Sequence, residues 1–414
     1  MMKRLTIAAM LTLLALGAAP AADSWPQWGG PNRDFTLEAR KLSRNWGDDG
    51  PPEIWSRSLG GGFAGIVSDG KSLYTIYRDG DEEIVVALNP ENGKTRWEHR
   101  YAAAIPKAHD LSTQYGKGPN GTPLLVDGKV VTLGFVGHAT CVDATTGKLL
   151  WSHALGDKFE VKTPYFGHSA SPLALGDRVL LVAGGLLAFD LDSGDLAWEN
   201  RDFQGSYGSP MLIENGGMQQ IVTPVEANVA GFDPNTGKTL WSAEHKNEWG
   251  TILTSPVADG SGRVFFSAAQ VGGVLVDPAA ENDNRQIWQA AGVQVNHSNA
   301  VRAGDLMFAS VGEAASFLTA TSLTDGSMAW KKRGFATANL LRIGEEFLLL
   351  DFDGELALLE LNGEGMQVLT QATINDEPTW TPPTLIGTTL YFRDKSRIAA
   401  LDLSVEENDQ AGVR

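Results

Sequence analysis

The sequence predicts an all-β fold, an eight-bladed β-propeller of four-stranded blades. Three observations predict it. A short phrase ending in Trp recurs at a near-constant beat, with Trp55, Trp97, Trp151, Trp198, Trp241, Trp288 and Trp330 spaced by 42, 54, 47, 43, 47 and 42 residues. Each period holds four short apolar runs bounded by Gly, Asn, Asp and Pro, which read as strands. Eight inner-strand starts can be counted, near Ala64, Gly121, Ser169, Gly208, Thr254, Asn299, Ala338 and Pro382.

The phrase itself is a turn followed by an outer strand. It reads Asn89-Pro-Glu-Asn-Gly93-Lys94-Thr-Arg-Trp97, Asp143-Ala-Thr-Thr-Gly147-Lys148-Leu-Leu-Trp151, Asp190-Leu-Asp-Ser-Gly194-Asp195-Leu-Ala-Trp198 and Asp233-Pro-Asn-Thr-Gly237-Lys238-Thr-Leu-Trp241. A stretched copy runs from Asp277 to Trp288, and Ser322 to Trp330 is a weaker one. The Asp or Asn side chain caps backbone donors of the turn, and Gly takes positive φ without penalty. The Trp is expected to pack on the neighbouring blade, because a lone four-stranded sheet cannot bury its faces.

The unit around Trp241 shows the four runs: Gly208 to Ile213, Gln220 to Val225, Val229 to Phe232 and Thr239 to Ser242. The seventh unit keeps the turn, Leu361 to Val368, but has Val368 where the others have Trp. The eighth ends at Ile398-Ala-Ala-Leu-Asp402 with no fourth strand after it, and Glu53-Ile-Trp55-Ser-Arg-Ser-Leu59 supplies the missing one. The ring is therefore expected to close through its N-terminal strand, which removes free sheet edges.

Around this ring, residues 1–21 read as a signal peptide. Lys3-Arg4 precedes an apolar run from Leu5 to Ala18 and the A-x-A site Ala19-Pro20-Ala21, too short for a membrane span. Residues 22–51 read as an extended strap, 52–403 as the propeller and 404–414 as a disordered acidic tail. Export makes the expected compartment periplasmic or extracellular. No Cys follows the leader, so no lipid anchor is expected, no other segment approaches transmembrane length, and the chain is expected to be a monomer. Cys141 is the only cysteine, which precludes an internal disulfide and reads as a buried, inert thiol. A net charge of −17 and pI of 4.8 argue against nucleic acid as a partner.

These phrases resemble the pyrrolo-quinoline quinone (PQQ) type repeat, in which the outer-strand Trp forms a tryptophan docking motif. One branch of that superfamily holds PQQ-dependent dehydrogenases. Another holds non-catalytic propellers, including the lipoprotein scaffold of the outer-membrane protein assembly machine. The opening Trp25-Pro-Gln-Trp28-Gly-Gly-Pro31-Asn-Arg33-Asp34 is similar to the start of a group of secreted PQQ-like propellers of environmental bacteria. What the first branch implies is not matched residue by residue. One Cys cannot form a disulfide between adjacent cysteines, no Cys-x-x-Cys-His haem site exists, and no Glu, Asn and Asp set for calcium can be placed.

Ligands of propellers meet the face made by two loop sets: those joining an outer strand to the next inner strand, and those joining the second and third strands. The longest such loop runs from Tyr101 to Pro119 and explains the 54-residue gap. Arg78, Lys107, His109, Asp110, Tyr115, Tyr165, His168, Tyr207, Trp249 and His297 are the candidate ligand-binding residues of that face, with Trp380 beside the last blade. Rings and titratable groups there suit a sugar, a quinone or a short peptide. The same histidines and rings also serve for loop hydrogen bonds and blade plugs. No catalytic or metal residue is assigned. Asp79-Gly-Asp81-Glu-Glu83 reads as a charged hairpin tip, since it lacks the remaining ligands of a calcium loop. The leading expectation is a non-catalytic scaffold that binds a protein partner or a small ligand. The alternatives are a dehydrogenase using PQQ with calcium, and a carbohydrate-active enzyme at the channel mouth with Asp110 as its visible carboxylate.

Overall fold

The structure is a computed structural model and describes residues 24–47, 49–109, 116–281, 285–312 and 316–405. The predicted signal peptide, Asp110, Tyr115 and nearly all of the predicted tail lie outside the described residues. Eight sheets form the propeller, antiparallel throughout except for one parallel strand added to blade 7. Seven have four strands and the seventh blade has five. The only helix of α type among the described residues is the single turn Leu155–Phe159.

In blades 1 to 7 the four blade strands follow chain order from the channel outward, with Thr36–Leu37 added on the inner side of blade 7. In the eighth, Glu53–Ser58 pairs antiparallel with Arg397–Asp402, so a strand from before blade 1 is the outer strand of the last blade. Arg393 secures the same seam. Its fully buried guanidinium donates to the Ala64 and Ile76 carbonyls, the Thr75 hydroxyl and the Gly60 carbonyl, tying blade 8 to blade 1.

The recurring phrase has a common geometry. In blade 2, the Asp143 carboxylate accepts from the backbone N–H of Thr145 and Thr146, and Gly147 closes the turn at φ 70°. Two residues later the outer strand begins with a β-bulge, between Leu149 and Trp151. A bulge stands immediately before the Trp in the seven blades that carry one; in blade 7 it falls between Val368 and Thr370, so Thr370, and not Val368 as the sequence suggested, holds the position that Trp holds elsewhere. The extra residue twists the edge strand and re-aims the next side chain. Trp151 then lies across the turn of blade 3. A Cβ on Gly194 would sit 2.5 Å from its ring, so that turn admits only glycine, and the indole N–H donates to the Leu191 carbonyl at 3.0 Å. Trp55 meets Gly93, Trp97 meets Gly147 and Trp288 meets Gly326 in the same manner, and Trp198 lies on Gly237 without an acceptor for its indole N–H among the described residues. Trp241 differs because the turn of blade 5 is stretched: its indole donates to Gln220 of its own blade, and the Arg285 guanidinium lies 5.0 Å from its ring.

Inner strands begin up to four residues later than the sequence places them, for example at Leu173 and not Ser169. The intervening residues are Thr122-Pro123, Ser171-Pro172, Ser209-Pro210 and Ser255-Pro256, and proline has no N–H to give to a ladder. They form a belt around the channel instead. Gly65 N donates to the Thr122 hydroxyl, Thr122 N to Ser171, Ser171 N to Ser209 and Ser209 N to Ser255, each at 2.9–3.2 Å. Asn299 and Asn339 continue the belt with their amides.

Candidate functional site

Residues 24–47 close one end of the channel. Trp25 exchanges two backbone hydrogen bonds with Ser68 of blade 1, and Pro26 accepts from Leu125 of blade 2. The chain then crosses to the far side, where Thr36–Leu37 adds a parallel strand to Arg342–Ile343 of blade 7 and Ser43 donates to Leu403 of blade 8. These partners lie at the far ends of the inner strands, so the segment sits opposite the loops that enter those strands.

At its centre, Gly29 and Gly30 adopt φ 75° and 77° and bend the chain so tightly that a Cβ on Gly29 would lie 2.6 Å from the Arg33 carbonyl carbon. Arg33 and Phe35 also take positive φ, a costly conformation for residues of their size. The bend drives the Arg33 side chain inward. It donates to the carbonyls of Pro210, Pro172 and Ser171 and to the Gln27 amide at 2.7–3.2 Å. No carboxylate pairs with it among the described residues, and burial lowers its pKa to about 9. It stays charged at neutral pH because carbonyl dipoles of blades 3 and 4 solvate it.

Above this floor lies a cavity of about 1290 Å³. Its floor is Gln27 to Thr36, its wall includes the belt residues Ser209, Ser255, Asn299 and Asn339, and its mouth is aromatic. Tyr165 and Phe166 enter from the loop between blades 2 and 3, Tyr207 from the next loop, Trp249 from the next and His297 from the next. Trp380 and Phe63 complete the ring on the far side. Tyr165 and Phe166 stand edge to face at 4.8 Å, and His297 stacks on Trp380 at 5.9 Å. Of the described lining residues, Asp34 alone carries a carboxyl. Burial raises its pKa, while a Thr36 hydrogen bond and the charges of Arg302 and Arg342 lower it.

Of the sequence-predicted candidates, Tyr165, Tyr207, Trp249 and His297 share this cavity, together with Trp380. Arg78 and His168 do not line it. Arg78 lies on the strand Leu73–Asp79 and turns inward to Glu83 at 2.8 Å and the Ala103 carbonyl at 2.7 Å. Glu83 is itself fully buried and accepts also from the Tyr101 hydroxyl and Phe135 N. The charged hairpin thus keeps one of its acids for the core. His168 is buried behind the mouth, and burial lowers its pKa to about 4. Lys107 is exposed and lines no part of the cavity; His109 supports the rim through its Nδ1, 2.9 Å from the Tyr165 carbonyl. Cys141 is buried and its thiol is pushed up to about 12, consistent with an inert sulfur.

Sequence reasoning missed the floor and the belt. The recurrent Ser/Thr-Pro pairs marked the belt, and Gly29-Gly30 with Arg33 marked the bend; neither repeats at the Trp positions that drew the reading. A quinone tricarboxylate with calcium needs hard anionic ligands. The cavity lining offers amides, hydroxyls, the cations Arg33, Arg302 and Arg342 and a single carboxyl at the floor, so the described residues do not fit the calcium of such a site. No cluster of three or more His, Cys, Asp or Glu suited to a metal occurs among the described residues, and no helix among them is long and apolar enough to cross a membrane.

Comparison with known proteins gives a consistent family. Residues 81–332 match the model of the PQQ_2 family, described as outer membrane protein assembly factor BamB. The outer membrane protein assembly factor BamB of Salmonella typhimurium is 26% identical over 189 residues, which cover 44% of this chain and 42% of that protein. The chain thus spans less than half the length of that curated relative. Among solved structures, BamB from Moraxella catarrhalis superposes with a TM-score of 0.62 at 17% identity, over 85% of this chain and 99% of that one. A quinohemoprotein alcohol dehydrogenase from Comamonas testosteroni gives 0.69 at 12% identity, over 94% and 82%. At these identities the structural likenesses establish the propeller fold alone.

Proposed function

The chain belongs to the PQQ_2 family, described as outer membrane protein assembly factor BamB, and on that premise we propose that it is an exported, non-catalytic binding propeller. Residues 1–21 are its export signal, residues 22–51 the strap that floors the channel, and residues 52–403 the scaffold. It works in the periplasm or outside the cell, where it engages a protein partner or a small ligand. The observation that carries this reading is the make-up of the cavity. It presents rings, amides and hydroxyls for contact, while its one described carboxyl is held at the floor beside Arg302 and Arg342. General acid–base work needs two titratable groups facing one substrate; here the single described carboxyl, Asp34, lies at the floor, while His297 stands at the mouth, stacked on Trp380.

The test has two arms. Tagged mature protein is used to capture partners from an envelope extract, and the candidate complex is rebuilt from purified components. Separately, the protein is titrated with PQQ plus calcium and assayed with alcohols and sugars against an artificial electron acceptor. A rebuilt stoichiometric complex without dye reduction supports the binding reading. Saturable quinone binding with turnover overturns it in favour of the dehydrogenase.

A further inference from the structure

We propose that the channel mouth is a binding site for a neutral oligosaccharide or the end of a neutral polysaccharide, inserted against Trp249 and Tyr165. This rests on the binding-propeller reading and names a ligand class for it. Trp249 is the strongest sign. Its side chain is 57% exposed at the tip of a loop, an unfavourable place for an indole. The loop is nonetheless closed on itself by hydrogen bonds. The buried Asn247 side chain donates to the Thr251 carbonyl at 2.8 Å and accepts from Thr251 N at 3.1 Å, closing the loop on both sides of the Trp. Ser206 of the neighbouring connection clamps Ile252 in the same two-way manner, at 2.5 and 3.1 Å. A pre-set, solvent-facing ring is a stacking platform. Tyr165, 48% exposed, is a second one two blade connections away, its carbonyl 2.9 Å from the His109 ring nitrogen.

Below the platforms the wall is polar: Ser209, Ser255, Asn299 and Asn339 offer hydroxyls and amides, while the lining arginines Arg33, Arg302 and Arg342 already donate to backbone carbonyls. The belt uses an acceptor lone pair on the Ser209 and Ser255 hydroxyls, and a hydroxyl keeps a rotatable O–H for a ligand oxygen. Rings above and hydroxyls with amides below match the two faces of a sugar, apolar C–H and polar O–H. The belt also speaks against a peptide strand, since Thr122, Ser171 and Ser209 N–H groups are already bonded at this level. A cavity of about 1290 Å³ exceeds the roughly 300–1,000 Å³ of small-ligand sites, which gives room for several units. The closed floor makes it a blind socket for a chain end.

The experiment is calorimetric titration of the full mature chain with cellohexaose, maltohexaose and mannohexaose, with intrinsic Trp fluorescence as a second readout. Co-sedimentation with insoluble polysaccharide separates a chain end from a free oligosaccharide. The expected result is saturable binding of at least one sugar, weakened about tenfold in Trp249→Ala and in Tyr165→Ala, with the melting temperature unchanged. Ile54→Ala, on the outer perimeter, is expected to bind as the parent does. No saturable binding across the panel, or binding indifferent to both ring variants, overturns the proposal. Binding of a short peptide with no sugar bound overturns it as well while leaving the scaffold reading in place, and turnover with PQQ overturns that reading instead.

Discussion

At the perimeter an indole from one blade lies on a turn glycine of the next and donates to a carbonyl there, as Trp55, Trp97, Trp151 and Trp288 do. Along the channel a hydroxyl or amide of one blade accepts a backbone N–H of its neighbour, as Thr122, Ser171, Ser209 and Ser255 do. Both devices fasten blade to blade. The outer one buries a large apolar area against a position where only glycine fits. The inner one exchanges single hydrogen bonds, which at Ser209 and Ser255 lie on the wall of the cavity. The perimeter is therefore expected to carry the stability, leaving the channel wall free to differ from blade to blade and to take a ligand.

The sharpest way to break this comparison is Trp151→Ala. It empties a buried slot over Gly194 and leaves the Leu191 carbonyl without its donor. The expected cost is about 3–5 kcal/mol, read from denaturant unfolding. A loss under about 1 kcal/mol would mean that the perimeter contact is dispensable and the channel side holds the ring.

Behind the mouth, His168 sets a pH limit on the wall. Burial lowers its pKa from 6.5 to about 4, so as pH falls the unfolded chain takes up the proton before the folded one does. Stability is full above pH 6.5 and falls as pH drops toward 4. Between pH 7 and 4.5 the parent is expected to lose about 2.5 kcal/mol more than His168→Gln. Parallel stability curves for the two proteins would remove His168 as a cause of acid sensitivity.

Legibility followed the same division. An Asp or Asn turn closed by Gly and followed by Trp is a combination with one use here, so its recurrence gave the blade number, the strand order and the N-terminal closure. The belt was hidden because Thr, Ser and Asn do the same work interchangeably and look like ordinary loop residues. Arg78 was placed at the rim because a charged residue next to a turn normally faces water. The structure turns it inward because Glu83, five residues on and directly opposite it in the hairpin, meets it in the core. The floor was hidden for another reason: Arg33 is held by carbonyls of residues 138 to 177 positions away, a pairing that no local pattern carries.

Ser209→Ala sharpens the inner half of the comparison. It removes the acceptor that Ser171 N uses at 2.9 Å and changes little else in volume. A buried N–H without a partner costs about 1–3 kcal/mol. Because Ser209 also lines the cavity, water can reach the site and the expected loss is about 1 kcal/mol. A loss equal to that of Trp151→Ala would place both rings on the same footing and end the argument that the wall is free to vary.

The smallest expected effect belongs to Trp249→Ala. Its indole is more than half exposed, and the loop that carries it is closed by Asn247 and not by the ring. The melting temperature should therefore stay within a degree or so of the parent, since surface changes of this kind fall within about 0.5 kcal/mol. Trp151 and Trp249 then form a matched pair, one indole deleted at the perimeter and one at the mouth. If both deletions destabilise alike, Trp249 is a structural plug of its blade and the mouth loses its main platform. If only Trp151 does, an indole retained at no benefit to the fold is one kept for a ligand.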